Sequence, residues 1–280
     1  MNNINVEKSI NSGQVFLWKK NDGFWYGVNG QNILRVDKMG KMTSYVKKRD
    51  DFFRKSDNME MILKSITKDK TVRIAVKKYQ GMRILRQDPF QCLISFIISA
   101  NSNIPKIKFC LENITKQFGK KVKWKNQEFY LFPKPEKLAD VSVKDIKSCG
   151  VGYRDSYISQ AAKMVVSGKI DFNYLKKIEY DIAKEIICKI PGVGNKVADC
   201  MMLFSLDKLE AVPLDRWIIR ILEKYYPKKF KITTSTITPK QYDTLHEKIV
   251  NHFGPYAGYS QQFLFKLERD KNQKKWVLNP

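Results

Sequence analysis

Ile190-Pro191-Gly192-Val193-Gly194-Asn195-Lys196-Val197-Ala198-Asp199-Cys200 is the stretch on which the reading of this 280-residue chain turns. Apolar spacing over residues 179–189 and again over 195–206 predicts a helix on each side of it, joined by a tight turn. Two glycines in three residues permit positive φ and leave backbone N–H groups uncovered where the second helix begins. Uncovered donors at the positive end of a helix dipole favour an anion such as phosphate. The alternative is a plain turn between antiparallel helices. A P-loop is disfavoured, because it needs Gly-Lys-Ser/Thr after a strand, whereas here the preceding segment is helical and Val197 follows Lys196.

The charge balance decides between those alternatives. The chain carries 52 Lys plus Arg against 28 Asp plus Glu, a formal net charge of +24, with basic runs at Lys47-Lys48-Arg49, Lys120 to Lys125 and Lys271 to Lys275. A polyanion is the expected partner, nucleic acid first and an acidic membrane surface second. Solvated lysine-rich helix faces are the competing explanation of the charge. With 43% hydrophobic and 12% aromatic residues the chain reads as globular rather than disordered. The longest nearly apolar run, Cys92 to Ala100, is about half of what spans a bilayer, and no secretion signal opens the chain, so an intracellular location is expected. Five widely spaced cysteines without a CxxC pair, and only two histidines, His246 and His252, argue against a disulfide framework, a metal site or a metal cofactor.

Outward from the hairpin the organisation is α+β. Phe24 to Val28, Ile33 to Val36 and Met42 to Val46 read as an antiparallel meander, separated by Asn29-Gly30 and Met39-Gly40 turns. Helical spacing begins at Asp51 and runs through Phe52, Phe53, Met59, Ile62, Leu63 and Ile66. A boundary near residues 80–88 divides a β-plus-helix domain, 1–84, from an all-α domain, 85–280, whose first helix is capped by Asp88 and opened by Pro89. Further helices are predicted at 105–118, 142–149, 154–167, 214–226, 240–252 and 255–270. Gly150-Val151-Gly152-Tyr153-Arg154 echoes the hairpin, again between two helices.

Two residues in this frame suit chemistry. An ordinary lysine has a pKa near 10.4, so Lys196 is a nucleophile only where an apolar pocket and a helix N-terminus disfavour its ammonium form; otherwise it contacts phosphate. Nineteen residues on, Asp215 in Ala211-Val212-Pro213-Leu214-Asp215-Arg216-Trp217 precedes an apolar helix, where it is either a cap or a catalytic carboxylate. An amine and a carboxylate facing one cleft suit attack at a sugar carbon that develops positive charge.

Pro-Gly-Val-Gly-x-Lys-Val-Ala-Asp-Cys followed by Ala-Val-Pro-x-Asp resembles the helix-hairpin-helix DNA glycosylase superfamily, in its 8-oxoguanine DNA glycosylase/lyase branch. Ser12-Gly13-Gln14-Val15-Phe16-Leu17-Trp18, Gln87-Asp88-Pro89 through Asn103-Ile104, Gly150 to Arg154 and Phe253 to Gln261 are similar to further blocks, in the branch's order and over most of the chain. The resemblance implies a TATA-binding-protein-like β domain packed on the helical domain. It implies Lys196 as the amine that forms a Schiff base at C1′, Asp215 as the supporting carboxylate, and a strand-nicking β-elimination. Gly13 matches the position whose carbonyl meets the N7–H of 8-oxoguanine. Cys200 and Phe265 match the sandwich around the flipped base, and Gln261 the reader of its Watson–Crick edge. Asn101, Tyr153 and Arg154 match the residues that fill the vacated space and contact the orphaned cytosine. Gly192, Val193 and Gly194 match the phosphate-binding hairpin, at which a monovalent cation is conceivable; a monomer is the usual state.

Two positions depart from the branch. Lys106 stands where a second cytosine-reading Arg is common, so a single ammonium replaces a planar fork and opposite-base selectivity is expected to loosen. Trp217 stands where His commonly follows the Asp, which puts phosphate contact or pocket hydration there in doubt. A pyrimidine-lesion glycosylase typically carries a cysteine-ligated iron–sulfur loop, yet no Cys follows Cys200. An alkylpurine glycosylase keeps the Asp but lacks the Lys. A non-catalytic DNA-binding protein using the hairpin for phosphate alone has no need of Asp215.

Overall fold

The computed structural model describes residues 4–47, 51–230, 232 and 237–276, with side chains as far as 272. The basic runs Lys47-Lys48-Arg49 and Lys271 to Lys275 therefore fall partly outside the described residues. A short helix α1 (Val6–Ile10) leads into four strands, β1 (Trp18–Asn21), β2 (Phe24–Asn29), β3 (Asn32–Val36) and β4 (Met42–Ser44), paired antiparallel in chain order. The three expected strands are present. The sequence reading missed α1 and β1, because β1 is only four residues with three polar ones, Lys19, Lys20 and Asn21, and gives no apolar alternation.

Helices α2 (Met59–Ile66) and α3 (Lys70–Lys78) follow, capped by Asn58 and Asp69. Phe52 and Phe53 are buried but lie in a turn ahead of α2 rather than in a helix. Spacing alone does not distinguish an aromatic pair plugging the sheet from the first turn of a helix. Their rings close the face of the sheet that carries Trp18, Leu34 and Val36.

The helical part opens with α4 (Pro89–Ser99), capped as expected by Asp88, whose carboxylate accepts from Gln91 N at 2.8 Å. Every residue from Phe90 to Ile98 is buried, which makes α4 the axis of the helical region. Then come α5 (Ile104–Phe118), β5 (Lys121–Trp124), β6 (Gln127–Tyr130), α6 (Pro135–Asp140), α7 (Val143–Ile146), α8 (Asp155–Val166), α9 (Phe172–Lys177), α10 (Tyr180–Cys188), α11 (Asn195–Ser205), α12 (Arg216–Tyr225), α13 (Pro239–Phe253) and α14 (Ala257–Trp276).

The expectation of an all-α region from residue 85 needs correcting, because β5 and β6 form an antiparallel hairpin inside it. Lys120 to Lys125 reads as a charge run. Yet Val122 is buried, and with Phe129 and Leu131 it packs against Tyr26 and Ile33 of the first sheet. The helix expected over 142–149 is regular only to Ile146 and then widens into a π-turn over 147–151, where Gly150 takes φ +83°. The wide turn and a single 3-10 turn at Gly152–Arg154 re-aim the chain into α8.

The last helix ties the two parts together. Tyr79, just beyond α3, donates to Asp270 of α14 at 2.9 Å, and Gln262 of α14 donates to the Ser12 carbonyl at 3.0 Å. A half-buried ion cluster joins the segment before α2 to the end of α11. Asp207 accepts Arg54 at 2.7 Å, Arg86 at 2.8 Å and Lys176 at 2.6 Å. Burial opposes ionisation of Asp207, but these three cations outweigh it and hold its carboxyl at about 2, below the ordinary 3.8. Its stabilisation is thus fully present above pH 3.8 and is lost as pH falls toward 2. Asp207→Asn removes the nearer of two carboxylates from the Arg54 guanidinium, which is 1% exposed, and leaves it Asp57 at 4.0 Å and the Leu203 carbonyl at 3.3 Å. A loss of roughly 2–3 kcal/mol at pH 7 is expected, discounted for the partial exposure of Asp207 and shrinking toward zero near pH 2. Denaturant titrations of both proteins across pH check this.

Candidate active site

The decisive stretch forms the expected turn. Val193 N donates to Ile190 O at 3.0 Å, and α11 starts at Asn195. Gly192 takes φ +80°, and a Cβ there would sit 2.4 Å from the Tyr157 ring, so both conformation and packing demand glycine. Gly194 differs from expectation. Its φ of −97° is not left-handed, and no heavy atom lies within 4 Å of where a Cβ would stand. Its lack of a side chain leaves the first amides of α11 open as N-cap without a capping group. The Val193 side chain is buried in the core.

Lys196 projects from the first turn of α11. Its Nζ donates to Ser99 Oγ at 3.0 Å, at the end of α4, and lies 5.3 Å from the Phe96 ring centroid. Ser99 was not singled out from sequence, and nothing local marks a serine 97 residues away as the lysine's partner. One turn along α11, Cys200 is buried, and burial first of all pushes its thiol up to about 12, with Lys196 pulling the other way. A buried thiol held protonated in this way is a poor nucleophile.

Asp215 forms the cap, one of the two roles the sequence allowed, and keeps one oxygen free. Its Oδ1 accepts from Trp217 N and Ile218 N, each at 2.9 Å, capping α12. Oδ2 has no donor among the described residues. Burial raises the Asp215 carboxyl above its ordinary value, while Lys196 is the foremost influence lowering it, which sets the two groups in one electrostatic neighbourhood. The segment bearing Asp215 is held from behind. Leu214 N donates to Tyr242 Oη at 3.1 Å, and Tyr242 donates to the buried Asp199 at 2.5 Å; Tyr180 reaches the same carboxylate at 2.6 Å. Asp199 lies on α11 between Lys196 and Cys200 in sequence, so one buried carboxylate links the helix of the amine to the loop of the acid. Trp217, in the first turn of α12, contributes a backbone donor to Asp215.

The N-terminal segment reaches the same region: Phe16 packs edge-on against Phe96 at 5.9 Å, under Lys196. Around Gly13 (φ +90°) the carbonyls are nearly all taken. Arg269 donates to Asn11 O, Gln262 to Ser12 O at 3.0 Å, and Gln87 to Gln14 O at 2.9 Å. Among the described residues no donor reaches the Gly13 carbonyl. Phe265 stands beside it, 3.1 Å from where a Gly13 Cβ would be. Gln261, one turn back on α14, is buried with its Oε1 unpartnered. Gly13 and Phe265 are thus in contact, with Gln261 one turn from Phe265 on α14, and the orphaned amide oxygen and free carbonyl are two acceptors that lack a donor.

A second cluster forms where α4 ends. Asn101 is exposed at φ +49°. Arg154 clamps that turn, donating from Nε to Ala100 O at 3.1 Å, from Nη2 to Ala100 O and to Asn101 O at 3.4 Å, and from Nη1 to Val151 O at 3.0 Å. Its guanidinium lies 4.3 Å from the ring centroid of Tyr153, which is 57% exposed and so stands outside the core. Lys106 is exposed, its ammonium 5.0 Å from the Phe109 ring centroid. Among the described residues no group of His, Cys, Asp or Glu is arranged to hold a metal ion, and no helix is long and apolar enough to cross a membrane.

An open helix N-terminus after a Gly-Val-Gly turn, with an amine and a half-buried carboxylate in one electrostatic neighbourhood, is the arrangement that suits a DNA-processing enzyme of the helix-hairpin-helix class. Residues 94–251 match the HhH-GPD superfamily of base excision DNA repair proteins, and the chain belongs to it. Residues 1–93 match the N-terminal domain of 8-oxoguanine DNA glycosylase, which sets the branch. The chain is 30% identical over 276 residues to the N-glycosylase/DNA lyase OGG1 of Arabidopsis thaliana, covering 92% of this chain and 75% of that protein. The solved structure of MBOgg1 with a low-affinity DNA ligand superposes with TM-score 0.86 and 34% identity, covering 96% of this chain and 93% of that one. The Clostridium acetobutylicum 8-oxoguanine glycosylase/lyase, solved with duplex DNA containing cytosine opposite 8-oxoguanine, gives 0.84 and 32%, over the same shares. The protein is a DNA glycosylase/lyase of base excision repair, and it binds DNA.

Proposed function

We propose that this enzyme flips 8-oxoguanine out of duplex DNA, removes it through a Lys196 Schiff base, and nicks the strand. The observation that carries the substrate is the Gly13 carbonyl, left without a donor between neighbours that are all occupied. Guanine presents an N7 acceptor, which that carbonyl repels; the 8-oxo base presents an N7–H donor, which it accepts. Extrusion of the base is required because the glycosidic bond is inaccessible in the stack.

Lys196, neutral when it attacks, forms a bond to C1′ while the glycosidic pair leaves with the base. The Asp215 carboxylate stabilises the positive charge that builds on the sugar. Ring opening gives an iminium; loss of the C2′ proton then feeds electrons toward the 3′ phosphate, which departs by β-elimination. This sequence uses side chains alone and calls for no cofactor. The hairpin amides, the Asn101 turn and Tyr153 are assigned to the DNA on either side of the gap.

Borohydride trapping tests the reading. Covalent capture on a duplex with 8-oxoguanine opposite cytosine, and none on undamaged or thymine-glycol duplexes, is expected. Capture on thymine glycol alone would mean a different lesion class.

Opposite-base stringency follows from the second cluster. Arg154 is engaged by three carbonyls, which leaves the single-point cation Lys106 to meet the orphaned base. Wild type is therefore expected to prefer cytosine over adenine opposite the lesion by less than about fivefold. Lys106→Arg, which restores a planar fork worth about 1–3 kcal/mol per bidentate pair, should raise that preference about tenfold. Single-turnover excision on the two duplexes measures it.

A further inference from the structure

We propose that Arg269 is a positioning residue for lesion discrimination: it holds the Gly13 turn so that one carbonyl, and no other, is presented to the flipped purine. The proposal rests on the reading of Gly13 given above.

Gln261, Phe265 and Arg269 are spaced four apart on α14 and share one face of that helix. The first two face the base in that reading. Arg269 is directed at the segment that supplies the carbonyl: it donates to Asn11 O, and its Nη1 would be only 2.5 Å from a Cβ on Gly13. The guanidinium carbon lies 5.7 Å from the Phe265 ring centroid, so one planar cation braces both the turn and the ring.

The arrangement is costly, which argues that it is not incidental. Arg269 Nε is buried without a partner, and burial lowers the guanidinium's pKa. An unsatisfied buried donor opposes folding, and a neutral side chain at this position would avoid it.

The physical effect is selection by occupation. Asn11 O, Ser12 O and Gln14 O are consumed by Arg269, Gln262 and Gln87. Without Arg269, Asn11 O becomes a second free acceptor and the left-handed Gly13 peptide loses its brace. The turn can then rotate, and a rotated peptide offers N–H where C=O is needed, which abolishes the distinction between N7 and N7–H.

The test compares equilibrium binding in a Lys196→Gln background, which keeps the base attached. Three duplexes are used, carrying 8-oxoguanine, 7-deaza-8-oxoguanine, whose C7–H offers no comparable donor, and a stable abasic analogue that reports base-independent binding. Lys196→Gln alone should bind the 8-oxoguanine duplex about tenfold tighter than the 7-deaza duplex, as expected for one site-defining hydrogen bond. Adding Arg269→Met should shrink that ratio to within about twofold. Arg269→Gln, a second neutral replacement, should do the same. A ratio that persists in either folded variant overturns the proposal, because a merely structural role lowers all three affinities together. A ratio absent already in Lys196→Gln overturns the Gly13 reading, and the proposal with it, with no Arg269 variant needed to see it.

Discussion

Lys196→Gln is expected to abolish borohydride-trapped complex completely and to slow release of 8-oxoguanine by about 10³-fold or more, since it removes the attacking amine itself. Binding to the lesion duplex should stay within about threefold of wild type, because the hairpin amides and the Gly13 turn are untouched. Lys196 is the amine bonded to Ser99 Oγ, and the neighbouring thiol of Cys200, pushed up to about 12, is protonated at any pH the enzyme works in. Trapped complex is thus expected to vanish rather than to shift to another side chain. Gel analysis after borohydride, alongside binding titrations, checks both halves; normal trapping by the mutant removes Lys196 from the mechanism.

Asp215→Asn is expected to cut the single-turnover excision rate by about 10²–10³-fold, the scale of about 3–4 kcal/mol of lost charge stabilisation in a dry site. The fold should not suffer. An asparagine Oδ1 accepts from Trp217 N and Ile218 N as the aspartate does, so the α12 cap survives. Burial raises the folded-state pKa of Asp215 above its unfolded value, with Lys196 and the cap amides only partly offsetting it. A carboxyl with a raised folded pKa binds its proton more tightly when folded, so its ionisation costs stability once pH passes the ordinary 3.8. The Asn variant should accordingly melt at the same temperature as wild type or higher at neutral pH. Wild-type excision should also lose rate on the acid side as Asp215 protonates, at a pH above the ordinary carboxylate value, and the Asn variant should lack that limb. An unchanged rate with an unchanged melting temperature returns Asp215 to helix cap alone.

Asp215 shows why the sequence left alternatives at one residue. Capping occupies Oδ1 and leaves Oδ2 without a donor among the described residues, so the cap does not exclude the catalytic role proposed above. Gly194 shows the opposite error. Two glycines look equivalent in Gly-Val-Gly, yet only Gly192 takes the left-handed region, and only there would a Cβ also strike Tyr157. The β5–β6 hairpin was hidden by its lysines: a two-stranded ribbon that buries one face needs few apolar residues, and Val122 and Phe129 suffice when Tyr26 and Ile33 supply the other half.

What the chain determines on its own is whatever repeats or caps locally. The buried axis of α4 is written in the largely apolar run behind Asp88-Pro89, the hairpin in Gly-Val-Gly between two helices, and the polyanion partner in a charge of +24. Tertiary structure alone decides which polar groups remain unpaired. Ser99 reaches Lys196 across 97 residues, Gln87 reaches Gln14 across 73, and Gln262 and Arg269 reach Ser12 and Asn11 across 250 and 258. Hydrogen-bond occupancy depends on distances of about 3 Å in space and on no period along the chain. The free carbonyl at Gly13 is what remains after those long-range partners have been placed.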